Sequence, residues 1–359
     1  MSSRASHDCP RTGHNLQRVK VLHGPCEVAG QVFELARAQR GLGLDADAWC
    51  APHPYGYKRL SGSRPWSEGT WRHRAETLST LFLAARSYDV VHFHGGQSFL
   101  QPRFRQYDAR ALDLAGVKVL QHFVGSDARL PSVEAKRNPW YLNSFGENDR
   151  EAHRRMSRWA ALAHGHAAVQ DHALDVALRQ HFDHLHVVPL CLDLDEHTPV
   201  YPEAEARRPL LAHAPSNLLG KGSDLVDAAV AELTARGLSF DYERLHGKSH
   251  AEVLSQMARA DLVVDQLRLG SFGTATVEAW ALGKPVVCYV MPELWETYPA
   301  GLPIIQADPV SLITVLEEWL TTGTARNERG RASRAYAESH HSAVDVARET
   351  SKLYAALGS

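Results

Sequence analysis

Short apolar runs alternate along the chain with longer stretches in which apolar residues recur every three or four positions. The runs over 19–23, 47–50, 90–94, 117–122, 167–170 and 185–189 read as buried strands. Helical periodicity occupies 28–40, which Gly41 ends, and then 71–86, 149–163 and 172–181. A weakly apolar segment rich in Asp, Glu, Pro and Arg follows over 192–209. The alternation then restarts, with strands over 210–214, 240–245, 262–265, 286–290 and 304–306. The accompanying helices cover 222–236, 249–259, 274–282 and 308–321, and 325–357 reads as a final helical segment. Strand–helix alternation predicts an α/β chain of parallel sheets covered by helices. The restart predicts two doubly wound, Rossmann-like domains facing each other across a cleft at the C-terminal ends of both sheets. The expected organisation is a disordered arm over 1–17, an N-terminal acceptor domain over 18–190 and a linker over 191–208. A donor domain over 209–335 follows, then a C-terminal helix over 336–359 returning to the first domain.

Composition narrows the classes. Of 359 residues, 44% are apolar and 22% charged, ordinary values for a globular enzyme, and the net charge of −2 lacks the basic excess of a nucleic-acid binder. The five cysteines are odd in number, widely spaced and without a C-x-x-C pair, which argues against a disulfide framework or zinc knuckle and for a reducing cytoplasm. No apolar run approaches the roughly 18 residues of a bilayer span.

Candidate chemistry concentrates in the second half. HAPSNLLGKGSD (213–224) follows a strand and places Lys221 and Gly222 at a helix start. An ammonium beside free helix amides suits a diphosphate, although an ordinary solvated lysine also fits there. DLVVDQLRLGSFGTATVEAWALGKPVV (261–287) runs from a buried strand through Gly270, Ser271, Phe272 and Gly273 into a helix beginning at Thr274. Glycines let backbone approach a ligand, and a helix N-terminus favours an anion. Glu278 is the one charge in an apolar helical run, placed to accept both ribose hydroxyls of a nucleotide or to form a structural ion pair with a lysine.

This segment resembles the family-4 type of GT-B glycosyltransferases, which carry an E-x7-E motif here. Glu278 matches the second glutamate, so the resemblance implies a ribose contact. The first glutamate falls on Gly270, leaving the donor sugar to the amides of residues 271–274. Lys221 matches the phosphate-binding lysine, and Asn217 or a neighbour stands where an arginine is usual. VVPLCLDLDEHTP (187–199) is similar to the interdomain signature of these enzymes, and GPCEVAGQ (24–31) to their glycine-rich loop, with Gly30 its candidate contact to the diphosphate. In LQHFVGSDAR (120–129), His122 is the candidate for the histidine beside the reacting centre, two residues from its usual place but on the same strand face. Asp127 and Arg129 then orient it or bind acceptor, or else serve as turn residues. His94, in the strand-end pair His92 and His94, and Trp66, in an aromatic, basic stretch with Tyr55, Tyr57 and Trp71, are candidates for the acceptor side. That stretch also suits peripheral contact with anionic lipid at the inner face of the membrane, or is simply a long loop.

The resemblance thus implies a retaining transfer from a UDP- or GDP-type sugar to a carbohydrate or small-molecule hydroxyl, with no metal, cofactor or nucleic acid. A nucleotide- or sugar-binding protein without turnover is the alternative from another class, and an epimerase or phosphorylase the alternative among enzymes. The clusters HFDHLH (181–186) and HGH (164–166) lack carboxylate or cysteine partners at metal-ligand spacing. Asp193 and Asp195 mimic a D-x-D motif but lie at the seam. Neither the G-x-G-x-x-G of a dehydrogenase after the first strand nor a P-loop occurs.

Overall fold

A computed structural model of the chain describes residues 19–50, 55–65, 79, 81–100 and 106–357. Seven strands form the first sheet: β1 (Lys20–Gly24), β2 (Asp45–Cys50), β3 (Arg64–Pro65), β4 (Val90–His94), β5 (Lys118–Phe123), β6 (His166–Val169) and β7 (His184–Val187). Their spatial order is β3-β2-β1-β4-β5-β6-β7, and every pairing is parallel. The second sheet holds β8 (Leu210–His213), β9 (Asp241–Arg244), β10 (Leu262–Val264), β11 (Val286–Cys288) and β12 (Ile304–Gln306), again all parallel, in the order β12-β11-β10-β8-β9. In each sheet the order reverses beside the first strand, between β1 and β4 and between β8 and β10. Loops diverge at such a reversal, and a crevice opens at the C-terminal strand ends.

Helices cover both faces of the first sheet, which is why its central strands are buried nearly throughout. On one face Leu22, Val91, Phe93 and Phe123 pack with Met156 and Trp159. On the other, Val21, Val90 and Leu120 meet Leu35 of the helix Gln31–Gly41 and Val346, Ala347 and Tyr354 of the helix Ala343–Ala356. The end of the chain therefore completes the core of the N-terminal sheet.

The predicted strands all form, with ends moved by a few residues. The last segment is two helices, Gly323–His340 and Ala343–Ala356. The break is tertiary: Leu192 N–H donates to His341 O and Ala343 N–H to Leu192 O, drawing the backbone at Ser342 out of helix. Residues 172–181 hold only the turn His172–Leu174 and the short helix Asp175–Leu178. The helices Tyr107–Leu114 and Pro131–Arg137 carried too little periodicity to predict. Of the expected helix over 71–86, residues 81–87 are described as helical. Among the described residues no helix is long and apolar enough to cross a membrane.

Two histidines lock these joints in neutral form. His213 bonds Val264 O (2.9 Å) and Ser223 Oγ (2.8 Å), and His341 Nδ1–H donates to Leu190 O (2.7 Å). Burial, tempered by these backbone bonds, pulls both down to about 4. Between pH 6.5 and about 4 the unfolded chain takes up protons at these positions and the folded chain does not, so stability present above 6.5 is lost as pH falls. Denaturant unfolding across pH 7 to 4 is expected to show a falling midpoint, with the slope reduced in His341→Asn, whose amide N–H can still reach Leu190.

Candidate functional site

The loops after β1, β4 and β5 face those after β8, β9 and β10 across an interdomain cleft. Its C-terminal wall is built around Asp265, the first residue past β10 and 1% exposed. One carboxylate oxygen takes Lys221 Nζ at 2.5 Å; the other accepts from Gly273 N–H (2.9 Å) and the Thr276 hydroxyl (2.7 Å). Burial pushes this carboxyl upward, but the Lys221 charge and these bonds outweigh it and hold it below the usual carboxylate range. The same contacts fix the start of the helix Thr274–Ala281. Because Asp265 holds the Gly273 amide, the first-turn amides of Thr274 and Ala275, both lining the cleft, remain for a ligand.

One and a half turns on, Glu278 is 4% exposed and accepts from His250 Nε2 at 2.7 Å. His250 opens the helix His250–Met257, capped by Ser249 and Glu252 in a reciprocal box. Its backbone N–H donates to Tyr55 O (2.9 Å) and its ring lies 4.3 Å from that of Tyr57. The first aromatics of the Tyr55–Trp71 stretch thus cross to the other domain and steady the residue that orients Glu278.

On the opposite wall, Glu27 lines the cleft with both carboxylate oxygens buried and unpartnered. Burial pushes it up to about 8. The amides of Gly30, Val32, Phe33 and Val28 at the head of the first helix lower it somewhat, yet none reaches it with hydrogen-bond geometry. At neutral pH Glu27 is therefore mostly the neutral acid, buried in the N-terminal wall. Gly95 lies beside it: φ is +67°, and a Cβ would sit 2.9 Å from Cys26 Sγ, so the approach of the β1 and β4 loops needs glycine.

No protein-family model matches the chain, and no curated protein matches it in sequence. Solved structures do match over nearly its whole length. A sucrose-phosphate synthase from Thermosynechococcus elongatus superposes with TM-score 0.64 at 15% identity, covering 95% of this chain and 99% of the other. Anabaena HepE in complex with UDP and glucose gives 0.64 at 13%, covering 94% and 100%. The catalytic domain of starch synthase IV from Arabidopsis thaliana, bound to ADP and acarbose, gives 0.61 at 13%, covering 94% and 99%. The chain has the GT-B fold.

Within this GT-B chain the residues singled out in the sequence divide into two groups. Lys221, Ser271, Phe272, Gly273, Thr274, Glu278, Asp127 and Arg129 line the cleft. Not all present free groups to it. The Phe272 ring packs 5.0 Å from both Trp280 and Tyr298. The Asp127 carboxylate is engaged by its own loop, accepting from Gly125 N–H (2.7 Å) and Val124 N–H (3.1 Å). Arg129 pairs with Glu134 (3.2 Å) and donates across the domain boundary to Leu269 O (3.3 Å).

Of the others, those the structure describes lie off the cleft. Asn217 caps the short helix Leu218–Lys221 through Gly220 N–H. Gly30 packs on Tyr57. His94 and His122 turn into the interior of the N-terminal domain beside His23 and His92. Trp66 lies outside the described residues. Asp193, of the D-x-D lookalike, caps the turn Leu194–Glu196. Sequence reading missed Glu27, Asp265 and His250. Asp265 had a legible signal, an acid ending a buried strand one short loop before a glycine-led helix start. His250 and Glu27 had none beyond their residue type.

Gly270 explains the missing first glutamate. Its φ is +78°, and a Cβ would meet Met291 at 2.7 Å and the Asn138 amide at 3.0 Å. Asn138 there holds the two domains together through Arg268 O (2.8 Å). Gly270→Glu is expected to cost about 2–4 kcal/mol in denaturant unfolding, through left-handed strain and overpacking, rather than to restore a ligand contact.

Proposed function

We propose that this chain is a glycosyltransferase that moves a sugar from a nucleoside-diphosphate sugar to an acceptor hydroxyl, with retention at the anomeric carbon. The observation that carries the reading is the C-terminal wall of the cleft. A buried carboxylate held by histidine, a lysine and an open helix N-terminus converge there within the GT-B fold. The structural neighbours bound to UDP and glucose, or to ADP and acarbose, support a nucleotide and a sugar in this fold.

In this proposal Glu278 takes the ribose hydroxyls, with its second oxygen free of the His250 bond. Lys221 keeps two N–H donors beyond the one that Asp265 accepts, and these and the amides of Thr274 and Ala275 take the diphosphate. Negative charge grows on the leaving phosphate in the transition state. Fixed cations and amides stabilise it most where water is excluded. The acceptor enters over the N-terminal wall, where Glu27, buried and mostly neutral at physiological pH, adds no fixed negative charge beneath it. Neither Asp127, whose carboxylate is bonded into its loop, nor His122, which is turned inward, is placed to attack the anomeric carbon. The leaving phosphate then takes the acceptor proton in a front-face transfer.

A second reading, nucleotide-sugar binding without turnover, is favoured by one feature: Gly270 removes the carboxylate that the E-x7-E pattern supplies to the donor sugar.

Thermal unfolding with UDP, GDP, ADP and TDP tests the site. One nucleotide is expected to raise Tm, by the equivalent of about 2.7 kcal/mol at a hundredfold excess over Kd. Glu278→Ala is expected to lose that gain; no gain with any nucleotide at millimolar concentration sinks the assignment. With the preferred donor, NMR of the released sugar or product is expected to show the donor's anomeric configuration. Binding without product formation selects the second reading.

A further inference from the structure

Four histidines meet inside the N-terminal domain, apart from the cleft residues. His23 ends β1, His92 and His94 lie on β4, and His122 lies on β5. Strand register aligns His23 with His92 and His94 with His122, and the two-residue period puts His92 and His94 on one face. All four are buried. One ring nitrogen from each of His23, His92 and His94 lies within 4.8 Å of the other two, and His23 Nδ1 is 3.2 Å from His94 Nε2. The His122 ring centroid stands 5.4 Å from that of His94 and 5.5 Å from that of His92.

We propose that this cluster binds one divalent transition-metal ion of the zinc type, through His23, His92 and His94, with His122 placed to close the fourth position. Three observations support it. First, the remote nitrogens of His23 and His92 are already held. The Gln39 carbonyl accepts from His23 Nε2 (2.8 Å), leaving the Nδ1 lone pair facing His94. The Tyr354 hydroxyl sits on His92 Nδ1 (2.8 Å), and Gln39 Nε2 donates to the same hydroxyl (3.1 Å). Such outer bonds orient metal-ligating imidazoles. Second, His92 Nε2 and both nitrogens of His122 are buried without a partner among the described residues, a cost a ligand would remove. Third, 3.2 Å is close to the edge of a tetrahedron with metal–nitrogen bonds of about 2.0–2.1 Å, roughly 3.4 Å.

The ligand set selects the metal class. Neutral imidazoles suit zinc, cobalt, nickel or copper ions and not magnesium or calcium, which take oxygen ligands. A small cavity bordered by His94, His122, Gln31 and Leu35 shares the lining residues Val28, Val124 and Gln170 with the cleft. The ion would tie together β1, β4 and β5, the strands whose loops form the N-terminal wall. The proposal stands independently of the transferase reading.

The test uses the full chain stripped with chelator and titrated with Co2+ and Zn2+. Expected are one Co2+ per chain with the intense visible absorption of tetrahedral cobalt, and a Tm raised by about 5 °C or more with Zn2+. His94→Gln is expected to lose both. His184→Asn with His186→Asn, which removes the half-buried histidine ladder that includes the 2.9 Å His166–His186 contact, is expected to keep them. Should His94→Gln fail to fold, the wild-type cobalt spectrum decides. No binding at tens of micromolar, a weak octahedral spectrum, or binding lost only with the half-buried ladder overturns the proposal.

Discussion

Most of the candidate site depends on one buried carboxylate. Asp265 sits at the end of a strand where water cannot reach it, so every oxygen lone pair needs a donor from the protein. The donors it gathers come from three places in the sequence: Lys221 from the helix after β8, the Gly273 amide from the loop after β10, and the Thr276 hydroxyl from the next helix. Satisfying one buried charge thus aligns the lysine, the loop and the helix N-terminus on one wall. Removing a single partner from such a buried pair typically costs about 3–5 kcal/mol, which is why the arrangement is rigid before any ligand arrives.

The cleft is also a joint between domains, and its walls are braced close to where ligands would sit. Arg129 reaches Leu269, Asn138 reaches Arg268, and Tyr55 receives the amide of His250. Behind the cleft, the Leu190–His197 segment is held by His341, Ala343 and Arg334, and Tyr298 bonds Asp171. Most of these contacts end on backbone carbonyls, so they set position without strong dependence on the partner's residue type. The two walls meet as polar surfaces of different character. The C-terminal wall presents cation and amides; the N-terminal wall buries a mostly neutral acid, Glu27, beneath glycine-led turns.

The N-terminal sheet places its histidines unusually. Strand ends at the C-terminal edge of a parallel sheet are where side chains normally meet ligand, and His94 and His122 occupy such ends. Both nevertheless turn to the face covered by the helices Gln31–Gly41 and Ala343–Ala356, beside His23 and His92, which Gln39 and Tyr354 meet. The final helix therefore does more than close a core: its tyrosine supplies part of the polar shell around the histidine cluster.

The sequence by itself determined the two-sheet α/β architecture, nearly every strand, and the cleft-lining run of residues 271–274 with Glu278. These follow from local rules, apolar periodicity and the geometry of a glycine-led helix start, which need no distant partner. Only the tertiary structure decided which polar groups are free. Asn217 and Asp127 bond their own loops, Gly270 closes on Met291, and His94 and His122 face the interior rather than the cleft. Strand alternation says which residues share a face but not which face a helix from the far end of the chain will cover. Glu27, Asp265 and His250 acquire their character from burial and from partners distant in the chain, as Lys221 is from Asp265 and Tyr55 from His250. Such long-range desolvation is a property of packing and is written in no local pattern.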